Sequence, residues 1–244
     1  MLAKVANTYD SGNMKAENKS SSLSVTNISR TNQFGTSEEL LSHLLTNVDY
    51  RGKCTVFLDY DDTIAFKFHP DGTSEQDLMR ELADPNCDFD DCLRKVGDCR
   101  HEITQSMIDI LNQIQSFPDK YQLVIVTRRE SGTDIQELFD KVGLKEPTVL
   151  HQITLYGNES GSSIRIGGKL FEVEPNRSLT IDKGAIIGEW ISKNRQSVQN
   201  AVYIDDIDLN VNAVKEFLNA HENEIHKCTH YGTLKDGSWI VDTK

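Results

Sequence analysis

Two carboxylates and a hydroxyl stand at alternate positions directly after a short apolar segment. The segment CTVFLD (54–59) ends in Asp59, and Asp61 and Thr63 follow it. A carboxylate can attack phosphorus and form an acyl phosphate, which divides the hydrolysis of a phosphate ester into two steps. A second carboxylate two residues away can protonate the leaving oxygen and afterwards activate water. The spacing of these side chains therefore suits phosphoryl transfer.

Further polar side chains follow the later apolar segments. YQLVIV (121–126) is followed by Thr127, and AVYI (201–204) is followed by Asp205 and Asp206. A lysine that opens a helix and an amide beyond the last segment complete the set, Lys183 and Asn210. Clustered carboxylates form an oxygen-ligand site suited to Mg²⁺. An ammonium group and a hydroxyl can then neutralise and orient the phosphoryl oxygens.

Amphipathic stretches separate the three apolar segments. Apolar side chains recur with helical spacing at 103–114, 135–142, 186–191 and 211–218. Strands that alternate with helices predict an α/β, Rossmann-like fold with a mainly parallel sheet and helices on both faces. Ligands of such sheets bind beyond the carboxyl ends of the strands, so the polar residues are expected to meet at one edge.

The remaining segments predict the domain organisation. Residues 1–35 are rich in Ser, Asn, Lys and Thr and predict a disordered tail, and 36–244 predict the catalytic domain. Thr36 and Glu39 have capping-box spacing at the start of a helix. The acidic stretch at about 66–100 has little apolar content and predicts a small, cap-like insert.

A β-hairpin is expected before the helix that Lys183 opens. Residues 150–156 and 164–172 predict strands, and the turn-forming sequence NESGSS lies between them.

The polar residues, taken in chain order, resemble the four motifs of the haloacid dehalogenase (HAD) superfamily. The matching positions are Asp59-x-Asp61-x-Thr63, then Thr127, then Lys183, then Asp205-Asp206-x-x-x-Asn210. The resemblance covers roughly residues 50–232. It implies a HAD-type fold and a Mg²⁺-dependent phosphatase, since members with the second carboxylate are typically phosphatases or mutases.

The resemblance also implies a role for each residue. Asp59 would be the nucleophile and a Mg²⁺ ligand, and Asp61 would be the general acid and base. Asp61 would also bind the metal through its backbone carbonyl, and Asp206 would bind it through its carboxylate. Thr127 and Lys183 would bind the phosphate. Three positions would support the site, namely Thr63, Asp205 and Asn210.

Several competing residues stay open. Lys169 lies close enough in sequence to compete with Lys183, which is preferred because it opens an amphipathic helix after an apolar segment. Arg128 flanks the second motif and is left outside the core set. Three cysteines and a histidine suggest a metal clip in the insert, although their spacing matches no standard zinc pattern: Cys87, Cys92, Cys99 and His101.

A second copy of the first motif serves as an internal control. Asp88-Phe89-Asp90-Asp91 imitates the acidic pattern but follows no apolar strand, so we interpret it as non-catalytic.

The overall charge restricts the partners. Lys and Arg total 26 against 38 Asp and Glu, a formal charge of −12. Such a surface repels nucleic acid and anionic membranes, so neither is expected as a partner. A phosphorylated small molecule or a phosphoprotein is expected instead. With five scattered cysteines and no apolar leader, the chain is expected in a cytoplasm, with delivery by a specialised secretion route as an alternative.

Three other functions compete with a phosphatase. A response-regulator receiver is disfavoured because its paired acids precede the phosphorylated aspartate in sequence. A non-catalytic binding module on a HAD scaffold stays open. A phosphotransferase or mutase would share the chemistry and differ in excluding water.

Overall fold

The computed structural model describes residues 33–47, 50, 52–129, 131–194, 200–220 and 228–243. The strands are β1 (Gln33–Phe34), β2 (Cys54–Leu58), β3 (Ala65–Phe68), β4 (Arg100–Ile103), β5 (Tyr121–Thr127), β6 (Thr148–His151), β7 (Thr154–Tyr156), β8 (Ser162–Ile166), β9 (Lys169–Val173), β10 (Ser178–Thr180), β11 (Asn200–Asp205), β12 (Cys228–Lys235) and β13 (Ser238–Thr243). The helices are α1 (Ser37–Asn47), α2 (Glu75–Leu82), α3 (Phe89–Asp98), α4 (Gln105–Ser116), α5 (Thr133–Lys141), α6 (Lys183–Lys193) and α7 (Asp208–Ala220).

The central sheet confirms the predicted fold class. Among the described residues its strands run in the order β1-β13-β12-β11-β2-β5-β6. The five strands from β12 to β6 are parallel, and β13 and β1 join antiparallel at one edge. The fold is therefore an α/β, Rossmann-like fold with a mainly parallel sheet.

Helices cover both faces of this sheet. In β2 the side chains of Val56 and Leu58 join the core cluster under α1, α4 and α5, while Phe57 joins the cluster under α6 and α7. Parallel strands buried on both faces need a continuous apolar sequence, and β2 is buried at all five positions. This explains why the apolar segments in the sequence showed no alternation.

The N-terminal boundary differs slightly from the prediction. Residues 33–34 form β1, which pairs with Trp239 and Ile240 of β13, so order begins before Thr36. Thr36 caps α1 as expected, since its Oγ1 accepts from the Glu39 backbone N–H at 3.2 Å. Residues 1–32, which make up most of the predicted tail, lie outside the described residues.

The insert is a two-stranded ribbon that carries two helices. Strands β3 and β4 pair antiparallel, and α2 and α3 form the connection between them. Asp88 caps α3, with its side chain accepting from the Asp91 N–H. The false copy of the first motif therefore starts a helix, which agrees with its interpretation as non-catalytic.

The hairpin before α6 exists, but its predicted turn was wrong. The segment 164–172 is not one strand, because it folds back at Gly167 and Gly168, which have φ of 56° and 80°. The hairpin is thus β8–β9, whereas β7 pairs with β10. Positive φ values suit glycine, and the hairpin turn lies at these two residues. The polar run NESGSS forms a separate turn between β7 and β8, where the Gly161 N–H donates to the Asn158 carbonyl at 3.1 Å.

Helix α6 lies unusually close to α7 at its first turn. A Cβ added to Gly184 would come 2.4 Å from the Ala213 carbonyl oxygen. Because this obstacle is backbone, it cannot move aside as a flexible side chain would. The close approach fixes the start of α6, and hence the backbone of Lys183.

No helix in the described ranges is long and apolar enough to cross a membrane.

Replacing Gly184 with alanine should destabilise the fold. We expect Gly184→Ala to lower the free energy of unfolding by about 1–3 kcal/mol, because α6 must move away from α7. Gly97→Ala is the matched control. Gly97 lies in α3 with nothing within 4 Å of an added Cβ, so this change should stabilise by about 0.5–1 kcal/mol. Urea unfolding of both variants tests the difference, and equal effects would contradict the close-packing explanation.

The buried His230 should make stability depend on pH. Burial lowers the pKa of His230 from 6.5 to about 4. Between these two pH values the ring is therefore neutral in the folded protein and protonated in the unfolded chain. The contribution of the buried, neutral His230 to the free energy of unfolding is complete above pH 6.5 and is lost as the pH falls towards 4. The advantage of wild type over His230→Gln in unfolding free energy should therefore shrink by about 3 kcal/mol between pH 7.5 and 4. A pH-independent difference would show that the ring is not buried neutral.

Candidate active site

The carboxyl ends of three adjacent strands bring the predicted residues to one edge of the sheet. Strand β2 lies between β11 and β5 and runs parallel to both. Asp59 follows β2, Thr127 ends β5 and Asp205 ends β11. The predicted convergence at this edge is thus present in the fold.

Lys183 connects two of the acids. Its Nζ lies 2.5 Å from Asp59 Oδ1 and 2.7 Å from Asp205 Oδ2. The lysine is only 1% exposed although it carries a charge. It stands at the first position of α6, where the side chain of Asp182 caps the helix by accepting from the Ala185 N–H.

The carboxylate of Asp205 is fully buried and occupied by donors. Its Oδ2 accepts from Lys183 and from the Tyr203 hydroxyl at 2.5 Å. Its Oδ1 accepts from the Ile207 N–H at 2.9 Å and from Asn210 Nδ2 at 3.0 Å. With both oxygens engaged, Asp205 is suited to holding Lys183 in place rather than to binding a metal directly. Asn210 supports Asp205 in turn.

Three carboxylates form a cluster that could hold a cation. One oxygen from each of Asp59, Asp205 and Asp206 lies within 4.8 Å of the others. Burial raises the pKa of Asp59 to about 7; Lys183 opposes this shift, and Asp205 and Asp206 add to it. Burial, with the charges of Asp205 and Asp62, raises the pKa of Asp206 to about 6. A divalent cation would offset both the burial and the mutual repulsion of these carboxylates. Asp59 and Asp206 therefore fit Mg²⁺, with Asp205 holding Lys183 beside them.

Asp61 lies outside this cluster and has partners of its own. Arg129 Nη2 lies 2.7 Å from Asp61 Oδ1, and Arg129 Nε lies 3.1 Å from Oδ2. His101 Nε2 lies 3.1 Å from the same Oδ1. Burial alone would raise the pKa of Asp61, but hydrogen bonds from His101 and Arg129 outweigh it and hold that pKa well below its usual range.

The two threonines are buried near the motifs. The Oγ1 of Thr127 accepts from the Arg129 backbone N–H at 3.1 Å, and its hydroxyl proton can still be donated. Thr63 Oγ1 has no hydrogen-bond partner within the described part of the chain. The Thr63 carbonyl accepts a hydrogen bond from Ser37 Oγ at 2.7 Å. The first turn of α1 is therefore hydrogen-bonded to the loop that follows Asp59.

The competing residues are placed elsewhere. Lys169 pairs with Asp182 at 3.0 Å and is largely exposed, which leaves Lys183 in contact with Asp59. Arg128 donates to the side chain of Gln152. In the described ranges, the acid cluster is the metal-binding arrangement found, and the suspected cysteine clip is not formed.

Two residues that contact Asp61, Arg129 and His101, were not predicted as site residues from the sequence. Arg129 was not among the predicted site residues, and its position two residues beyond Thr127 was the available signal. His101 was grouped with the cysteines of the insert. Its contact with Asp61 depends on the pairing of β3 with β4, for which the sequence offered no clear pattern.

Solved structures of HAD domains are similar to this chain. The HAD domain of the effector protein Lem4 from Legionella pneumophila matches at 15% identity and a TM-score of 0.39, covering 73% of this chain and 85% of that chain. An inactive mutant of the same domain has a TM-score of 0.41, 15% identity and coverages of 76% and 88%. A hydrolase of the haloacid dehalogenase-like family from Streptococcus pneumoniae matches at 12% identity and 0.36, covering 68% and 81%.

No family profile matches the sequence, and a search of curated proteins gives no significant match. The structural matches above are likenesses to solved HAD domains, and the resemblance of the motifs to the HAD superfamily stays a prediction.

Removing the buried ammonium group should destabilise the protein. We expect Lys183→Met to lower the free energy of unfolding by about 3–5 kcal/mol without divalent cations, because Asp59 and Asp205 would lose their shared partner. Lys169→Met is the control, and its exposed ion pair should contribute less than about 1 kcal/mol. Chemical denaturation in EDTA measures both changes in unfolding free energy. A similarly small effect at the two positions would contradict a stabilising role for the buried ion pairs of Lys183 with Asp59 and Asp205.

Proposed function

We propose that the protein is a Mg²⁺-dependent phosphatase that hydrolyses a phosphomonoester through an aspartyl-phosphate on Asp59. The observation that carries this proposal is the buried contact of Lys183 with Asp59 and Asp205, with the Asp206 carboxylate beside them. A carboxylate held against a buried ammonium group at the edge of an α/β sheet is suited to attacking an anionic phosphate.

The nucleophile has one oxygen fixed and one available. Oδ1 of Asp59 accepts a hydrogen bond from Lys183 Nζ, and Oδ2 makes no hydrogen bond within the described part of the chain. An available oxygen can form the bond to phosphorus while the bond from phosphorus to the leaving oxygen breaks. The Lys183 charge reduces the repulsion between carboxylate and phosphate, and the Thr127 hydroxyl can donate to a phosphoryl oxygen.

The acid cluster supplies the ligands for the metal. Asp59 and Asp206 would hold Mg²⁺ through their carboxylates, and Asp61 through its backbone carbonyl. When bound, Mg²⁺ would neutralise charge on the phosphoryl oxygens. Asp205 keeps Lys183 beside the nucleophile, since its own oxygens are already occupied.

Asp61 would carry the proton in both steps. In the first step it gives a proton to the leaving oxygen, and in the second it takes one from the water that attacks the aspartyl-phosphate. The second step releases inorganic phosphate and returns Asp59 to its carboxylate form. Arg129 and His101 favour ionised Asp61. The first step is therefore expected to proceed best with a leaving group that needs little protonation, such as a phenolate.

A non-catalytic binding module is the second candidate. The observation that favours it is the engagement of Asp61 by Arg129 and His101, away from the acid cluster. Such a module would bind Mg²⁺ or a phosphate and hydrolyse no ester.

Hydrolysis of an aryl phosphate separates these functions. We expect Mg²⁺-dependent turnover that disappears in EDTA and falls at least about 10³-fold in Asp59→Asn, because the amide cannot form the acyl phosphate. Asp90→Asn, in the false copy of the motif, is the matched control and should keep full activity.

Activity retained by Asp59→Asn would contradict the covalent mechanism. A folded wild-type protein that binds Mg²⁺ and turns over neither an aryl phosphate nor a panel of natural phosphoesters would favour the binding module.

A further inference from the structure

The guanidinium group of Arg129 is fixed from several sides, and its fork faces Asp61. Nε lies 3.3 and 3.1 Å from the two carboxylate oxygens of Asp61, and Nη2 lies 2.7 Å from Oδ1. On the other side, Nη1 donates to Asp134 at 3.1 Å. The group also lies 4.9 Å from the ring centre of the buried Tyr60, within the range of a cation–π contact. Arg129 therefore has little freedom to point elsewhere.

The backbone of Arg129 is tied to the second motif. Its N–H donates to the Thr127 hydroxyl oxygen, and the His151 ring lies 2.7 Å from its carbonyl oxygen. Arg129 is thus anchored at the end of β5, on the sheet, while its side chain extends to Asp61. The contact therefore joins the first motif to the second.

His101 brings the insert into the same contact. It lies on β4, opposite Lys67 of β3. Its Nε2 is 2.8 Å from Arg129 Nη2 and 3.1 Å from Asp61 Oδ1. A single ring nitrogen cannot accept from the guanidinium and donate to the carboxylate at once, so His101 makes one of two alternative hydrogen bonds.

The backbone of Asp61 also adjoins the insert. Asp61 forms an isolated bridge with Ala65, the first residue of β3, and the N–H of Asp62 donates to the Ala65 carbonyl at 2.9 Å. The insert strands therefore contact Asp61 through its main chain on one side and through His101 on the other.

Asp61 stands apart from the acid cluster, as a proton donor to a leaving group must. In phosphoryl transfer the attacking and leaving oxygens lie roughly in line on opposite sides of phosphorus. The acid must therefore stand away from the nucleophile and its neighbouring carboxylates. Asp61 is held outside the cluster of Asp59, Asp205 and Asp206.

We propose that Arg129 is a positioning residue that fixes the Asp61 carboxylate for leaving-group protonation, and that His101 makes this position depend on the insert. The proposal rests on the proposed function, because the positioning matters only if Asp61 transfers a proton. A lysine could not replace Arg129, since a single ammonium group lacks the planar fork that engages both carboxylate oxygens.

The leaving group provides a test that a purely structural role would not satisfy. We would measure kcat and KM for 4-nitrophenyl phosphate and for a simple alkyl phosphate with wild type, D61N, R129K, the double variant and R128K. General acid catalysis contributes about 10²–10⁴-fold and matters most for the poor alkoxide leaving group. We expect D61N and R129K each to lose at least about 10-fold more kcat on the alkyl ester than on the aryl ester.

Two further comparisons identify the route of the effect. The double variant should be no slower than D61N, because Arg129 acts through Asp61. R128K should behave as wild type, since Arg128 contacts Gln152 instead. Equal losses on both esters, or a further loss in the double variant, would overturn the proposal by showing that Arg129 acts independently of Asp61.

Substitutions of His101 test the link to the insert. His101→Gln places an amide nitrogen near the position of Nε2, and His101→Leu removes the polar group. In His101→Leu the ratio of kcat on the aryl ester to kcat on the alkyl ester should rise above the wild-type ratio, by less than in R129K. In His101→Gln this ratio should equal the wild-type ratio. If both variants have wild-type ratios, the insert does not influence Asp61 and that half of the proposal is wrong.

A readout without turnover separates this proposal from the proposed function. If wild type hydrolyses neither ester, the proposed function fails, but the melting temperatures still test the contact. R129K should lower the melting temperature by about 2–4 °C in the wild-type background and by clearly less in the D61N background, where only the contacts with Asp134, Tyr60 and His101 are left to lose. Additive shifts would show that Arg129 and Asp61 are not coupled and would overturn the positioning role.

Discussion

The arrangement of the site depends on one buried cation, the Lys183 ammonium between Asp59 and Asp205. Burying a charge is costly unless partners compensate it, and here two carboxylates do so at hydrogen-bonding distance. The compensation is unequal, because Asp206 adds a further negative charge beside them. Lys183 alone leaves the cluster with excess negative charge, which favours binding of a divalent cation there. The same contact thus contributes to stability and leaves beside it a carboxylate cluster that could hold a cation.

The surrounding fold holds this cation in place. Gly184 lets α6 approach the Ala213 backbone, and this approach sets where Lys183 begins its helix. The neighbouring strands β2 and β11 set the distance between Asp59 and Asp205, since both residues follow directly from paired positions in the sheet. Tyr203 and Asn210 then occupy the rest of the Asp205 carboxylate. A polar network inside the core is tolerated because each member has partners.

Much of the fold and of this network could be predicted because the signals are local. A buried parallel strand needs a continuous apolar segment, and the residue after it must lie at the carboxyl edge, which placed Asp59, Thr127 and Asp205. Lys183 was preferred over Lys169 because it starts an amphipathic helix, and helix periodicity is a strong signal. The turn predicted at NESGSS (158–163) shows the limit, because a turn forms there but the strands beside it do not pair with each other. The hairpin folds back instead at Gly167 and Gly168, which have positive φ.

The contacts of Asp61 could not be predicted because they depend on pairing between distant segments. Arg129 and His101 lie 68 and 40 positions from Asp61 in sequence, and an arginine or histidine among many acids has many possible partners. The insert ribbon that brings His101 to the site has a polar, irregular sequence, so its strands gave no clear periodicity. Asp59 and Lys183 belong to the sheet and its helices, whereas Asp61 contacts both Arg129 beyond β5 and His101 of the insert. This division explains why the sequence specified the contact of Lys183 with Asp59 more completely than the contacts of Asp61.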